Sequence, residues 1–242
     1  MRVIRGQAIR VILLSQLFWM GFHVQARAQD NADLELRTNY TIQNYITRFR
    51  FWIRNDIGIR QSFDNDPFTM FLYRPRAIIE LGNIVDIIPA VDFRYSYYSG
   101  LGNTFEIRTW EGISVHWPDV GRIMFVHLYR FEQRFHWTEG EREEETGFRS
   151  RYRLNMRIPL NNPTLADQTW FLDMRGEIFL PHDEGIQELY SSRMRFGTLI
   201  GYRHNIKWRF QLAGYFESGW NTYTDERTVN HYIIEARVRT SL

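Results

Sequence analysis

The chain has 242 residues, with 30 basic against 28 acidic side chains and no cysteine, which excludes disulfide frameworks, thiolate metal sites and cysteine nucleophiles together. Aromatic residues reach 16%, and every cation except Lys207 is an arginine, the side chain suited to permanent bidentate pairing with carboxylates in confined places. A chain this rich in both kinds must separate them onto two faces.

The first element is an export signal. Arg2, Arg5 and Arg10 form a basic start, an apolar run follows from Val11 to Val24, and Ala26-Arg27-Ala28 supplies a small-x-small cleavage pattern. The run is short for a membrane helix, so a cleaved signal peptide over 1–28 is expected, and no cysteine follows it to carry a lipid. Removing 1–28 takes away four arginines and no acid, so the formal charge falls from +2 to −2 and gives no support to a nucleic-acid partner. Residues 29–44 alternate at Leu34, Leu36, Thr38, Tyr40 and Ile42, and are read as a periplasmic or lumenal segment or as an extra strand.

From Tyr45 onward a period of two recurs to the C-terminus. Between Tyr45 and Arg60 one face carries Tyr45, Thr47, Phe49, Phe51, Ile53, Ile57 and Ile59, and the other Ile46, Arg48, Arg50, Trp52, Arg54, Asp56 and Arg60. Segments of this kind fall at about 45–60, 68–80, 85–98, 103–116, 121–137, 147–160, 169–180, 189–203, 207–217 and 229–241. Most exceed the five or six residues usual in soluble sheets and match the roughly 9–11 that a tilted strand needs to cross a bilayer. Short links at Gly82-Asn83, Pro118 to Gly121 and His204-Asn205 take turns with longer ones at Gln61 to Pro67, Thr138 to Thr146, Pro181 to Glu188 and Ser218 to Thr228; Asn161 to Gln168 is long for its place. The expected fold is an all-β, antiparallel transmembrane barrel over 45–242, with ten strands, or twelve as the alternative, and with the long loops outside. Outer-membrane lipid and lipopolysaccharide are then its immediate partners.

With aromatic faces outward, the opposite faces line the lumen. They place Arg130, Glu132, Arg134, Arg149, Arg151, Arg153, Asp173, Arg175, Glu177, Arg193, Arg195, Glu235 and Arg237 in one charge network, with arginines in excess. The plainer reading is that arginine and carboxylate cross-link neighbouring strands in a narrow, nearly closed lumen. The sharper one is a positive interior that favours small anionic solutes. Acids gather at Glu139, Glu141, Glu143, Glu144 and Glu145, a loop tip without metal-ligand spacing. No cofactor is expected.

A lipid-modifying hydrolase would need a serine, a base and an orienting group together. Ser150 with His127 or His136, and Ser114 with His116, are the candidates. A tight hairpin at Thr138 to Thr146 sets His127 opposite about Ile158, roughly 27 Å from Ser150 at ~3.4 Å per residue, so no catalytic set is assigned. Trp52, Trp110, Trp117, Trp137, Trp170, Trp208 and Trp220 are read as interface girdles.

Trp110-Glu111-Gly112, Arg130-Phe131-Glu132-Gln133-Arg134-Phe135, Arg149-Ser150-Arg151-Tyr152-Arg153, Glu177-Ile178-Phe179, and Arg193 and Arg195 with Gly197 and Gly201-Tyr202 follow in order through the second half of the mature chain. In these the sequence resembles the family called domain of unknown function 2490. That resemblance implies an outer-membrane barrel and brings no substrate with it.

Overall fold

Alternation of outward apolar and inward polar side chains builds eleven strands into one closed sheet. The computed structural model describes residues 32–63, 67–98, 102–140, 144–182, 192–221 and 226–242. The proposed signal peptide, Glu141, Glu143 and most of the Pro181 to Glu188 loop lie outside them. In chain order the strands are β1 Ala32–Ile46, β2 Phe51–Ser62, β3 Phe68–Leu81, β4 Val85–Tyr98, β5 Thr104–His116, β6 Met124–Thr138, β7 Glu145–Pro159, β8 Thr169–Pro181, β9 Ser192–Arg203, β10 Trp208–Asn221 and β11 Glu226–Ser241. Consecutive strands pair antiparallel throughout, and β1 and β11 close the circle. The end that carries the C-terminus and the links after β1, β3, β5, β7 and β9 is the turn end; the other is the loop end.

The count corrects the expected ten or twelve. Residues 47–50, assigned above to the first strand, instead form a 3-10 turn that ends on Arg50 in the left-handed region at φ 51°. Arg48 consequently leaves the interior and lies over the Phe49 ring, 5.4 Å from its centroid. What precedes the turn is a full strand. On β1, Leu34, Leu36 and Tyr40 point outward while Glu35, Arg37, Thr41 and Gln43 are buried inside, the same division that every later strand makes.

Both expected counts are even, as antiparallel closure requires, and an odd count closes here because the closure is parallel. Ten antiparallel reversals leave β1 and β11 running the same way, from loop end to turn end. Their contacts ascend together: Asn39 donates to Glu235, and further along the Gln43 side-chain amide donates to Ser241 Oγ at 2.8 Å while Leu242 N donates to the Gln43 carbonyl at 3.0 Å. Parallel pairing is slightly less favourable per residue than antiparallel pairing, so this seam relies on its side-chain bonds. Cysteines at positions 43 and 241 should therefore form an intramolecular disulfide on mild oxidation, in a chain that has no other cysteine. A gel in which the double variant stays fully reducible-insensitive would remove β1 from the wall.

A second irregularity lies between β3 and β4. Pro75 and Pro89 sit nearly opposite across this pair, and the ladder skips from Tyr73↔Phe93 to Arg76↔Ala90 and then to Ile79↔Ile87. Two residues without an N–H remove donors from the same stretch of wall.

The interior is not wholly charged. Phe171, Leu199, Ala213, Tyr215 and Ile233 form one buried apolar cluster, and Ile78, Ile88, Ala90 and Trp110 another. The long link between β7 and β8 joins the first: Leu165 packs against it, Arg203 donates to the Leu165 carbonyl at 2.6 Å and pairs with Asp167 at 3.4 Å. The extra length that made Asn161 to Gln168 anomalous as a turn is used to fold into the barrel mouth. Trp52 and Trp110, read above as girdle residues, turn inward; Trp117, Trp170 and Trp208 remain exposed, all at the turn end.

Candidate functional site: the lumenal charge network

Buried carboxylates from several strands line the interior, and most are bound by arginines of their own or neighbouring strands. Asp92 on β4, with no exposure, accepts both nitrogens of Arg74 at 2.6 and 2.7 Å, Arg94 at 3.0 Å and the Trp110 indole N–H at 2.9 Å. Glu106 on β5 accepts Arg108 and Arg134, each at 2.6 Å. Glu132 on β6 accepts Arg149 at 2.6 Å and is ion-paired with Arg130, with Arg108 and Arg151 within 4 Å. Glu177 on β8 takes Arg151 at 2.6 Å, Arg153, and Arg195 at 3.2 Å; Glu217 on β10 takes Arg195 and, at 3.1 Å, Arg193. Pairs thus connect without a break from Glu106 through Arg108, Glu132, Arg151, Glu177 and Arg195 to Glu217, spanning β5 to β10.

All thirteen residues assigned from the sequence to a charge network point inward. Beyond those just placed, Asp173 binds Arg157 at 2.6 and 2.7 Å, Glu235 binds Arg237 and Asn39, and Arg175 donates to Tyr215 and Asn155 instead of a carboxylate. Asp92, Glu106 and Glu217 have the inward parity of the arginine-bearing faces and join the same network; Glu35, bound to Arg37, escapes the sequence reading because it lies on the segment left open between a strand and a periplasmic or lumenal piece.

Aromatic rings separate the ion pairs. Arg149, Arg151 and Arg195 all lie over Phe179, at 5.2, 4.3 and 5.2 Å from its centroid, and Arg130 lies 4.4 Å over Trp110. A guanidinium whose edge is satisfied by carboxylate still has two faces, and stacking on a ring covers one without competing for hydrogen bonds. Glycines make the space: a Cβ on Gly201 would sit 2.1 Å from the Phe171 ring, and one on Gly197 2.1 Å from Tyr215.

The serine candidates separate. Ser114 faces inward, with His116 bonded to Asp86 at 2.7 Å. Ser150 is buried on the outward side, between Tyr129 OH at 2.8 Å and His182 Nε2 at 2.7 Å. The hairpin register differs from the expected one by four residues: His127 stands opposite Leu154 and bonds Tyr152, and His136 stands opposite Glu145. Ser150 does have a histidine, but it comes from the far end of β8. Among the described residues no carboxylate is bonded to the other His182 nitrogen. Nor does any group of three potential metal ligands occur among the described residues.

The residues that build this interior are those of the ordered motifs: Trp110, Arg130, Glu132, Arg134, Arg149, Arg151, Arg153, Glu177, Phe179, Arg193 and Arg195. A family model described as "Protein of unknown function (DUF2490)" matches residues 19–228. The chain belongs to this family. No curated protein and no solved structure matches it. The DUF2490 match extends through β1 to β10 and into β11, so it covers nearly the whole wall and more than the motif-bearing half. Within it, motif residues of alternating parity hold the Arg–carboxylate–aromatic layers in place.

Proposed function

We propose that this DUF2490 protein is an exported outer-membrane β-barrel whose narrow lumen is closed by its own ion pairs, and that its role in the envelope is structural, without catalysis. The observation that carries the reading is the inverted distribution of side chains. Ile57, Phe71, Tyr95, Tyr129, Phe196 and Leu212 are 44–57% exposed on the outer surface, while Asp92, Glu132 and Glu177 inside have no exposure at all. In water that outer surface would be a continuous apolar patch far beyond what a dispersed monomer tolerates; in hydrocarbon it is the favourable arrangement, because a closed sheet leaves no unpaired edge. Exposed Trp117, Trp170 and Trp208 at the turn end fit one interfacial girdle.

Two measurements test it together. The folded protein should partition into detergent or lipid and migrate differently on a gel before and after heating. In planar bilayers it should insert without conducting. A compact monomer in detergent-free buffer would defeat the membrane reading; steady, anion-preferring conductance would replace the closed lumen with an open one.

A further inference from the structure

Charge compensation is uneven along the barrel. Asp92, Glu106, Glu132, Glu177 and Glu217 are each shared by two or more arginines, but toward the turn end there are arginines that no carboxylate holds. There a cavity of about 700 Å³ opens, with Arg54, Arg76, Arg157 and Arg239 on its wall beside Trp52. Arg76 is held by Asp56 at 2.7 Å and Arg157 by Asp173. Arg54 and Arg239, and Arg209 next to them, form no ion pair among the described residues. Besides its burial, the largest influences on Arg239 are Arg54, Arg209, Arg157 and Arg76, all positive.

Three carboxylates also face this cavity: Asp119 is exposed, and the other two are already engaged. Asp86 is bonded by His116 at 2.7 Å, and Glu80 accepts Tyr45 OH and the Trp52 indole, each at 3.0 Å. The Nε atoms of Arg54, Arg76 and Arg239 are buried and donate to no protein group. Guanidinium groups converging from β2, β3, β7 and β11 on one enclosed volume repel one another, and burial strengthens that repulsion. A multivalent oxyanion reverses its sign: several Arg forks match phosphate oxygens, and each pair so formed is a charge-assisted hydrogen bond.

We propose that the turn-end cavity is a binding site for a soluble, multiply charged phosphate compound, with Arg54 and Arg239 as its principal ligands and Arg76 and Arg157, already fixed by their carboxylates, as flanking donors. The barrel wall separates the cavity from whatever surrounds it laterally, so the ligand enters through the turn-end mouth, and the paired layers above make the site a blind vestibule. The site requires only the folded barrel. It does not depend on the closed lumen being structural in role, nor on the membrane assignment.

Inorganic pyrophosphate is the probe, titrated calorimetrically into folded, detergent-solubilised protein whose heat-dependent gel shift has first been verified. Saturable binding is expected, with a rise in melting temperature. Arg239→Gln and Arg54→Gln should each weaken binding about tenfold or more, the loss of a charge-assisted bond, and should melt no lower than wild type without ligand, since each removes an uncompensated cation. Lys207→Gln, an exposed cation at the same end, should bind as wild type. Absence of saturable heat in protein that passes the gel-shift check would overturn the site, as would unchanged binding by Arg239→Gln or an equal loss in Lys207→Gln. A short-chain phosphatidic acid titrated in parallel should bind more weakly; if it binds better, the soluble ligand is wrong.

Discussion

Replacing Glu177 by alanine should cost this barrel about 3–5 kcal/mol, the usual penalty for breaking a buried ion pair by removing one partner. Glu177 has no solvent exposure and holds Arg151, Arg153 and Arg195 from the two strands that flank β8. Without it, three guanidinium groups face each other inside the wall. Arg195 keeps Glu217, and Arg151 keeps a more distant Glu132 at 3.8 Å, but Arg153 keeps no carboxylate. The loss should appear as a lower temperature for the folded-to-unfolded gel shift, and Glu177→Gln should recover little of it, because an amide cannot compensate three cations. Arg153→Ala alone should be much milder, since Glu177 would retain two partners. Wild-type heat resistance in Glu177→Ala would mean that the network is an arrangement of convenience and does not hold the strands.

How much of this was legible in the sequence depends on the range of the interaction. Alternation is a property of neighbours along one chain, so strand positions from Phe68 onward and the inward parity of the charge network could be read directly. The first strand is visible as alternation at Leu34 to Ile42, and it reads as an extra strand or a periplasmic or lumenal segment; an even strand number, the rule for bacterial barrels, assumes antiparallel closure, which β1 with β11 does not obey. Partner choice was out of reach for a different reason. Which arginine meets Glu177 depends on the stagger between strands, and β6 with β7 shows how sensitive that is: their ladder continues to His136 opposite Glu145, and a slip of four residues replaced Ile158 by Leu154 across from His127. Inward aromatics were a matter of rule. Phe171 and Phe179 share the parity of Asp173, Arg175 and Glu177, and the expectation of outward aromatic faces, to which Trp52 was already an exception, overlooks the use of a ring as the second face of a buried guanidinium.

Phe171 also supports the other large expected effect, Gly201→Ala. Gly201 on β9 lies directly across from Phe171 on β8, and the added methyl would meet three atoms of its ring at 2.1, 2.5 and 2.7 Å. The ring has nowhere to go. It has no exposure, its cluster mates Leu199, Ala213, Tyr215 and Ile233 are each at most 5% exposed, and Arg157 and Arg209 lie over it at 5.0 and 5.7 Å. Overpacking of a filled core costs typically ~1–3 kcal/mol, occasionally more, and a rigid ring pressed against backbone belongs near the upper end. The discriminating measurement is a double-mutant cycle: Phe171→Leu should lower stability by itself yet recover most of the loss when combined with Gly201→Ala, giving a coupling on the order of 1 kcal/mol or more. Additive losses would show that the methyl is accommodated by movement of β9 and that the two strands are less tightly fixed than the ion pairs between Glu177 and Arg195 imply. Because that same pair of strands carries both the charge layer at Glu177 and the apolar layer at Phe171, a shift of β9 sufficient to relieve the clash would also lengthen the Arg195 contacts. The Gly201→Ala variant should then lose part of the sensitivity to Glu177→Ala, a non-additivity that independent layers would not produce.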